Sequence, residues 1–304
     1  KDLWKVKTVI PRNSAFVLNY FGGRAAGIWR KHGIDLEIDA RPFKGFAASL
    51  PAKEMMVGTY MGTAAIARIN KGFDWVIIGG GLTVMQEVFV LKSSPFKTIS
   101  DLRGKKFASW STGAGAFKAT RAAIMDGFGI DVLKDTNFVQ AAAPALLKLL
   151  ERGNVDSMFN ISSLTIATAS QPDKYRSIFA PNDYWKKKTG HAIGWSAPLV
   201  AWRSWVDENP ARAKAFVKAL HESFKWIRKS ENLDATVKKY GMLAAVKNQS
   251  QANVYKKWFS EKKIFMTKWD VKTRDNQWKF LEMAAKHGVL GKVPSKEKIG
   301  LILE

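Results

Sequence analysis

A chain of 304 residues with 46% hydrophobic content is long enough for two hydrophobic cores, and no apolar run approaches the roughly 18 residues a membrane span requires. The absence of cysteine excludes disulfides, thiol catalysis and cysteine-ligated zinc. A formal net charge of +23 invites a nucleic-acid reading, but the excess is spread as +5 over residues 1–90, +7 over 91–194 and +11 over 195–304, without a basic tail. The densest run, Lys186-Lys187-Lys188, reads as a solvated loop, and the overall field would draw small anions and acidic surfaces. Lys1-Asp2-Leu3-Trp4 leads straight into a strand with no signal peptide, which suits a mature secreted chain as well as a cytosolic one.

Residues 5–10 read as a first strand ended by Pro11. A helix opens at Asn13 or Ser14 as cap, includes Phe16, reaches about Lys31 and stops at Gly33, before a strand over 34–40. Residues 41–58 form a turn and short helix leading into a buried strand over 54–58. The polar tip Thr59-Tyr60-Met61-Gly62-Thr63 follows, where Gly62 permits close approach and Thr59 or Thr63 can cap the next helix. The apolar run 73–78 has the pattern of a strand buried on both faces, ended by Gly79-Gly80-Gly81. Neither nucleotide-binding glycine pattern can be written there or at Gly113-Ala114-Gly115. Gln86 precedes residues 88–91, read as the first strand crossing between two lobes.

The segment from Ile99 to Lys118 then packs a turn, a strand and a helix start into twenty residues. Asp101 begins a turn that Gly104 closes, 105–110 has strand composition, and Ser111-Thr112 stand where a following helix over 116–127 needs its cap. Free N–H groups and the positive dipole end at such a start favour an anion by roughly 0.3–1 kcal/mol when exposed and about 2 when partly buried. Strand 138–139, a helix from Pro144 to Arg152 stopped by Gly153, strand 175–179 and a short helix or loop over 182–189 continue the alternation. Residues 194–202 read as the return crossing, placing Trp195 near the cleft. Pro210 opens a long helix whose Phe216, Val217, Leu220, Phe224 and Ile227 share a face, and 230–304 reads as helical and basic, with Trp258, Trp269 and Trp278 packing on the first lobe.

The run Thr98-Ile99-Ser100-Asp101-Leu102-Arg103-Gly104-Lys105-Lys106-Phe107-Ala108, followed by Ser111-Thr112-Gly113-Ala114-Gly115, resembles the signature of periplasmic substrate-binding proteins that serve uptake of nitrate, aliphatic sulfonates, taurine and thiamin-precursor pyrimidines. His32-Gly33-Ile34-Asp35-Leu36-Glu37, Gly153-Asn154-Val155-Asp156 and Glu208-Asn209-Pro210 before the long helix are similar to further patterns of that family. The resemblance implies an α/β, two-lobed type II periplasmic-binding-protein fold, each lobe a mostly parallel sheet flanked by helices, with two crossing hinge strands. Residues 1–90 plus 196–304 would form one lobe and 91–195 the other. The ligand would lie between them, against Asn13, Ser14, Phe16, Thr59, Tyr60, Gly62, Thr63, Gln86, Trp110, Ser111, Thr112, Gly113, Ala114, Asn160, Ser162 and Trp195. Phe16, Tyr60, Trp110 and Trp195 would be aromatic walls, and Arg12, Arg41 and Lys118 candidate counter-charges. Many relatives carry Trp, an acid and Pro where this chain has Ile161, Ser162 and Ser163, and loss of the acid favours an anionic or neutral polar ligand.

Enzyme signals are sparse. None of the four histidines has another histidine at i+3 or i+4, no G-x-S-x-G elbow occurs, and the cysteine-rich motif of the related pyrimidine synthase cannot be present. His191, near the expected cleft, is the one candidate. The expectation is a monomeric, periplasmic solute-binding protein of an ABC importer, with no cofactor, metal or nucleic-acid partner. It would deliver a sulfonate or aromatic carboxylate, or alternatively nitrate or a pyrimidine, to the membrane permease. A synthase-like enzyme and a basic nucleic-acid binder are the rival classes.

Overall fold

A computed structural model describes residues 2–303. The elements run β1 (Trp4–Pro11), α1 (Ala15–Ala25), α2 (Ile28–Lys31), β2 (Ile34–Arg41), α3 (Phe43–Ser49), β3 (Val57–Thr59), α4 (Gly62–Ile69), β4 (Trp75–Leu82) and β5 (Val88–Leu91). A 3-10 turn (Ile99–Leu102) leads to β6 (Lys106–Ser109), α5 (Gly115–Phe128), β7 (Asn137–Gln140), α6 (Ala143–Glu151), β8 (Ser157–Phe159), α7 (Ser162–Ala169), β9 (Tyr175–Phe179) and α8 (Pro181–Thr189). Then come β10 (Ala197–Trp202), α9 (Arg203–Glu208), α10 (Pro210–Ile227), α11 (Ser230–Tyr240), α12 (Gln249–Lys257), a π turn (Trp258–Lys262), α13 (Val271–Lys286) and α14 (Lys296–Ile299).

Five strands drawn from residues 88–179 form one sheet, in the order β7-β6-β8-β5-β9. β1 and β2 pair with each other, and β10 lies between β3 and β4. The ladders β1–β2, β6–β7 and β6–β8 are parallel, whereas β5 and β10 pair antiparallel on both sides. The sheets are therefore mixed, and the antiparallel members are the two strands that follow the passages from one strand set to the other. β5 lies inside its sheet, so the outward passage is residues 83–87, not β5 itself, and the return is 190–196.

Helices cover the sheets through apolar faces. The inner face of α10 buries Phe216, Val217, Leu220, Phe224 and Ile227 in one cluster with Val17, Leu18 and Tyr20 of α1, at roughly 1.5–3 kcal/mol for each large side chain. Trp258, Trp269 and Trp278 are all buried, Trp258 with that cluster and the other two in a second one shared with β4.

Several boundaries differ from the sequence reading. The helix expected to reach Lys31 breaks into α1 and α2, because Gly27 takes a left-handed conformation (φ 74°). Strand β3 starts only at Val57, since the Glu54 amide closes a turn onto the Ser49 carbonyl (2.9 Å). Gly79-Gly80-Gly81 does not end a strand but lies within β4. The reason is backbone approach: a β-carbon on Gly81 would stand 1.9 Å from the Ala197 carbonyl oxygen of β10. Gly81→Ala is therefore expected to cost about 3 kcal/mol, because the obstructing atoms are backbone, and thermal denaturation should show a melting temperature several degrees lower. An unchanged melting temperature would contradict the approach of β10 to β4.

Candidate functional site

Strand ends and the loops after them carry nearly every residue expected to touch ligand. β6 and β8 are parallel neighbours, so Trp110–Ala114 and Asn160–Ser162 leave the same edge of their sheet. The Trp110 ring, half-buried, stacks on Phe159 at 5.5 Å and 15°. Ser111 and Thr112 do not cap α5. That helix starts at Gly115 with Ala114 in the N-cap position, and Ser111 Oγ instead accepts the Gly113 N–H (3.2 Å) in a small turn of its own. The α5 start therefore has no side-chain cap.

The start of α4 meets the start of α5. A β-carbon built on Gly115 would lie 3.0 Å from Thr63 Oγ1 and 3.6 Å from the Trp195 carbonyl oxygen; one on Gly62 would lie 2.6 Å from that same oxygen. Gly62 N–H donates to the Ser196 carbonyl (3.3 Å). Thr63 is 2% exposed, and its hydroxyl has no partner among the described residues. Two positive helix ends thus converge beside an unsatisfied hydroxyl. Lys118, half-buried in the first turn of α5, has no carboxylate partner among the described residues and adds a cation of the same sign as the helix end.

A second group lies close to the outward passage. Gln86 donates through Nε2 to Ser162 Oγ (3.0 Å) at the start of α7, while its buried Oε1 is unpartnered among the described residues. Asn160 is committed elsewhere: Nδ2 donates to the Ala143 carbonyl (3.0 Å) and Oδ1 accepts the Ile161 N–H (2.8 Å). Glu87, the acid adjoining Gln86, is paired with Lys262.

The other expected residues are placed as follows. Asn13 is exposed in the left-handed region (φ 56°), its N–H donating to the Leu243 carbonyl (3.0 Å), and Ser14 Oγ donates to the Pro11 carbonyl (2.7 Å) rather than capping α1. Phe16 packs on Tyr20 and Phe265, and Thr59 is buried at the end of β3 against the Tyr20 hydroxyl. Tyr60 turns inward, its hydroxyl donating to the Ala47 carbonyl (2.6 Å) with Arg68 against it. Trp195 is buried edge-on to Trp278, its Nε1 donating to the Gln277 carbonyl (2.8 Å). Of the candidate counter-charges, Arg12 donates to the Ala40 carbonyl (2.7 Å) and Arg41 pairs with Asp39 and Glu54, so Lys118 is the one left without a partner among the described residues. His191 sits half-buried on the return passage, held toward its neutral form by burial and then by Lys272 and Lys279.

Braces missed by the sequence reading surround both passages. Asn182 donates to Thr83 Oγ1 (2.8 Å) and accepts the Ile193 N–H (2.9 Å), while Gln277 takes the Gly194 N–H (2.7 Å) and donates to the Ala192 carbonyl (2.8 Å). Their partners lie 11 to 99 residues away, so no local pattern announces them. Among the described residues no group of three His, Asp or Glu side chains is placed to hold a metal ion.

The NMT1/THI5-like family model matches residues 17–247, three quarters of the chain. The chain belongs to the NMT1/THI5-like family. Solved structures place this family member in the type II periplasmic binding fold. The periplasmic aliphatic sulphonate binding protein SsuA from Escherichia coli is 15% identical with a TM-score of 0.74, over 98% of this chain and 92% of that one. The periplasmic nitrate-binding protein NrtA from Synechocystis PCC 6803 is 14% identical with a TM-score of 0.65, over 97% and 84%. The desulfurization enzyme DszB is 12% identical with a TM-score of 0.65, over 99% and 97%, so the fold also hosts chemistry. No curated protein sequence matches the chain.

Thr63→Val removes an unsatisfied buried hydroxyl at nearly constant shape, so the unliganded melting temperature should stay level or rise. A clear fall would mean that the hydroxyl is satisfied. The middle of α5 is tied to the loop beyond it by Arg121, which donates to both oxygens of buried Asp131 (2.7 Å each) and holds that carboxyl below the usual range. A depressed carboxyl contributes stability above its unfolded pKa of about 3.9 and loses it as pH falls through the folded value. Asp131→Asn should cost about 2 kcal/mol at neutral pH and flatten the fall in stability below about pH 4, read by denaturant unfolding across pH.

Proposed function

We propose that this chain is the extracytoplasmic solute-binding component of an ABC importer. It holds a small organic anion of the sulfonate or aromatic carboxylate class between two lobes, residues 1–90 with 196–304 and residues 91–195, and hands it to the membrane permease. The observation that carries this reading is the convergence of the α4 and α5 starts on Thr63, with Lys118 nearby and no acid on either tip. A lysine at a positive helix end costs stability in an empty protein and becomes favourable when an anion is shared between them. Ligand between the lobes would favour a closed form by its differential affinity for it.

The aromatic surroundings support a modest organic tail. Phe16, Tyr60 and Trp195 are buried in cores, which leaves Trp110 as the one expected wall with exposed ring surface. That favours nitrate, the ligand named for NrtA, as the second reading over a pyrimidine. The α4 and α5 starts carry no acid or histidine, and Glu87, the acid beside Gln86, is paired with Lys262, which supports binding over catalysis.

A thermal-shift screen with methanesulfonate, taurine, benzoate, nitrate, a pyrimidine and short oligonucleotides tests the proposal, since a ligand bound only by the folded chain raises its melting temperature. One of the anions should shift it by several degrees and be recovered chemically unchanged, and Thr63→Val should weaken that anion about tenfold. Turnover of the ligand, or shifts by oligonucleotides alone, would overturn the reading.

A further inference from the structure

The +23 charge finds a local expression on α10, away from the site. Lys214, Lys218 and Lys225 are exposed and fall within about 40° of one another on the helical wheel, spanning about 16 Å along the axis. Lys229 follows just past the helix end, also exposed. None of the four makes an ion pair among the described residues. The single acid of the helix, Glu222, stands at i+4 from Lys218 and i−3 from Lys225, the spacings at which it would neutralise them. Instead its carboxylate turns to α2, accepting Lys31 Nζ (2.7 Å) and pairing with His32 Nε2 (2.8 Å). Among the described residues the row is left without its counter-ion. Asp207 and Glu208 precede the first turn, and Glu231 follows the last.

The geometry points to this lysine row as an electrostatic docking surface for an anionic lipid bilayer. The charges lie along one helix face, an arrangement suited to a plane. They are lysines, flexible point charges that follow a diffuse negative field, with no arginine fork on the row to clasp one phosphate. Among the described residues the exposed large hydrophobic side chains are Phe43, Met242 and Val271, none of them on α10, so the row offers no stacking platform for nucleic-acid bases and no apolar anchor for insertion. Attraction to anionic lipid headgroups needs neither, and it fades within a Debye length and with added salt. The inference is independent of the ligand proposed for the cleft.

The test is co-sedimentation of the full chain with vesicles of phosphatidylcholine alone or mixed with phosphatidylglycerol, at low and high salt. The wild type should bind only the anionic vesicles and release at high salt. The variant Lys214→Gln/Lys218→Gln/Lys225→Gln should lose about tenfold or more in vesicle affinity. The variant Lys134→Gln/Lys148→Gln/Lys174→Gln, with the same net charge but exposed lysines from residues 91–194, should bind as the wild type does. Circular dichroism melts confirm that both fold. Absence of wild-type binding, equal loss in both variants, or tighter binding of duplex DNA than of anionic vesicles at the same salt would each overturn the proposal.

Discussion

The arrangement depends on one narrow backbone passage. Coming back from the five-stranded sheet, residues 194–198 run so close to their neighbours that side chains cannot stand between them. The Trp195 carbonyl faces the α-carbon of Gly62, the Ala197 carbonyl faces Gly81, and Gly115 comes within reach from the other side. This approach lets β10 enter between β3 and β4, and it draws the first residues of α4 and α5 toward one point. Helix ends carry partial positive charge and free N–H groups, so bringing two together is unfavourable unless acceptors sit there, and the Trp195 and Ser196 carbonyls supply only part of that need. Among the described residues the α5 start has no side-chain cap, the Thr63 hydroxyl no partner and Lys118 no carboxylate, further costs of the same sign at the same place. A fold tolerates such local conflict where a ligand relieves it.

The passages themselves are held by buried polar side chains. Asn182 ties Thr83 to Ile193, Gln277 ties the Ala192 and Gly194 backbone to α13, and the segment after the π turn pairs with the end of β4 through Phe265 and Leu82. These bonds replace the hydration that the passages would otherwise need, and each one broken without replacement leaves a buried group unpaired. Motion of the proposed lobes therefore has to be absorbed in few backbone dihedrals rather than by free sliding.

Much of this was legible in the sequence because it is local. β9 lies over Tyr175–Phe179 as its composition indicates, α5 ends at Phe128, one residue past the expected 127 and before a left-handed Gly129, and Pro210 opens α10. The family motif around Asp101 also marks a real structure, a capping box between Thr98 and Asp101. What was not legible depends on distant neighbours. Gly79-Gly80-Gly81 looks like a turn until β10 and Met266 are placed against it, and Ser111-Thr112 looks like a cap until Ala114 is seen in the N-cap position and Ser111 Oγ in a turn with Gly113. Tyr60 and Trp195 stand at strand-end positions where an aromatic ring can face either cleft or core, and only tertiary partners such as the Ala47 and Gln277 carbonyls decide between them.

The central claim, that an anion is held jointly by the starts of α4 and α5, is tested most directly by amide hydrogen exchange with and without the anion that raises the melting temperature. Residues 62–65 and 115–118 should gain protection together, since they belong to opposite sides of one site. Protection confined to one of the two segments, or appearing instead along α10, would contradict the account.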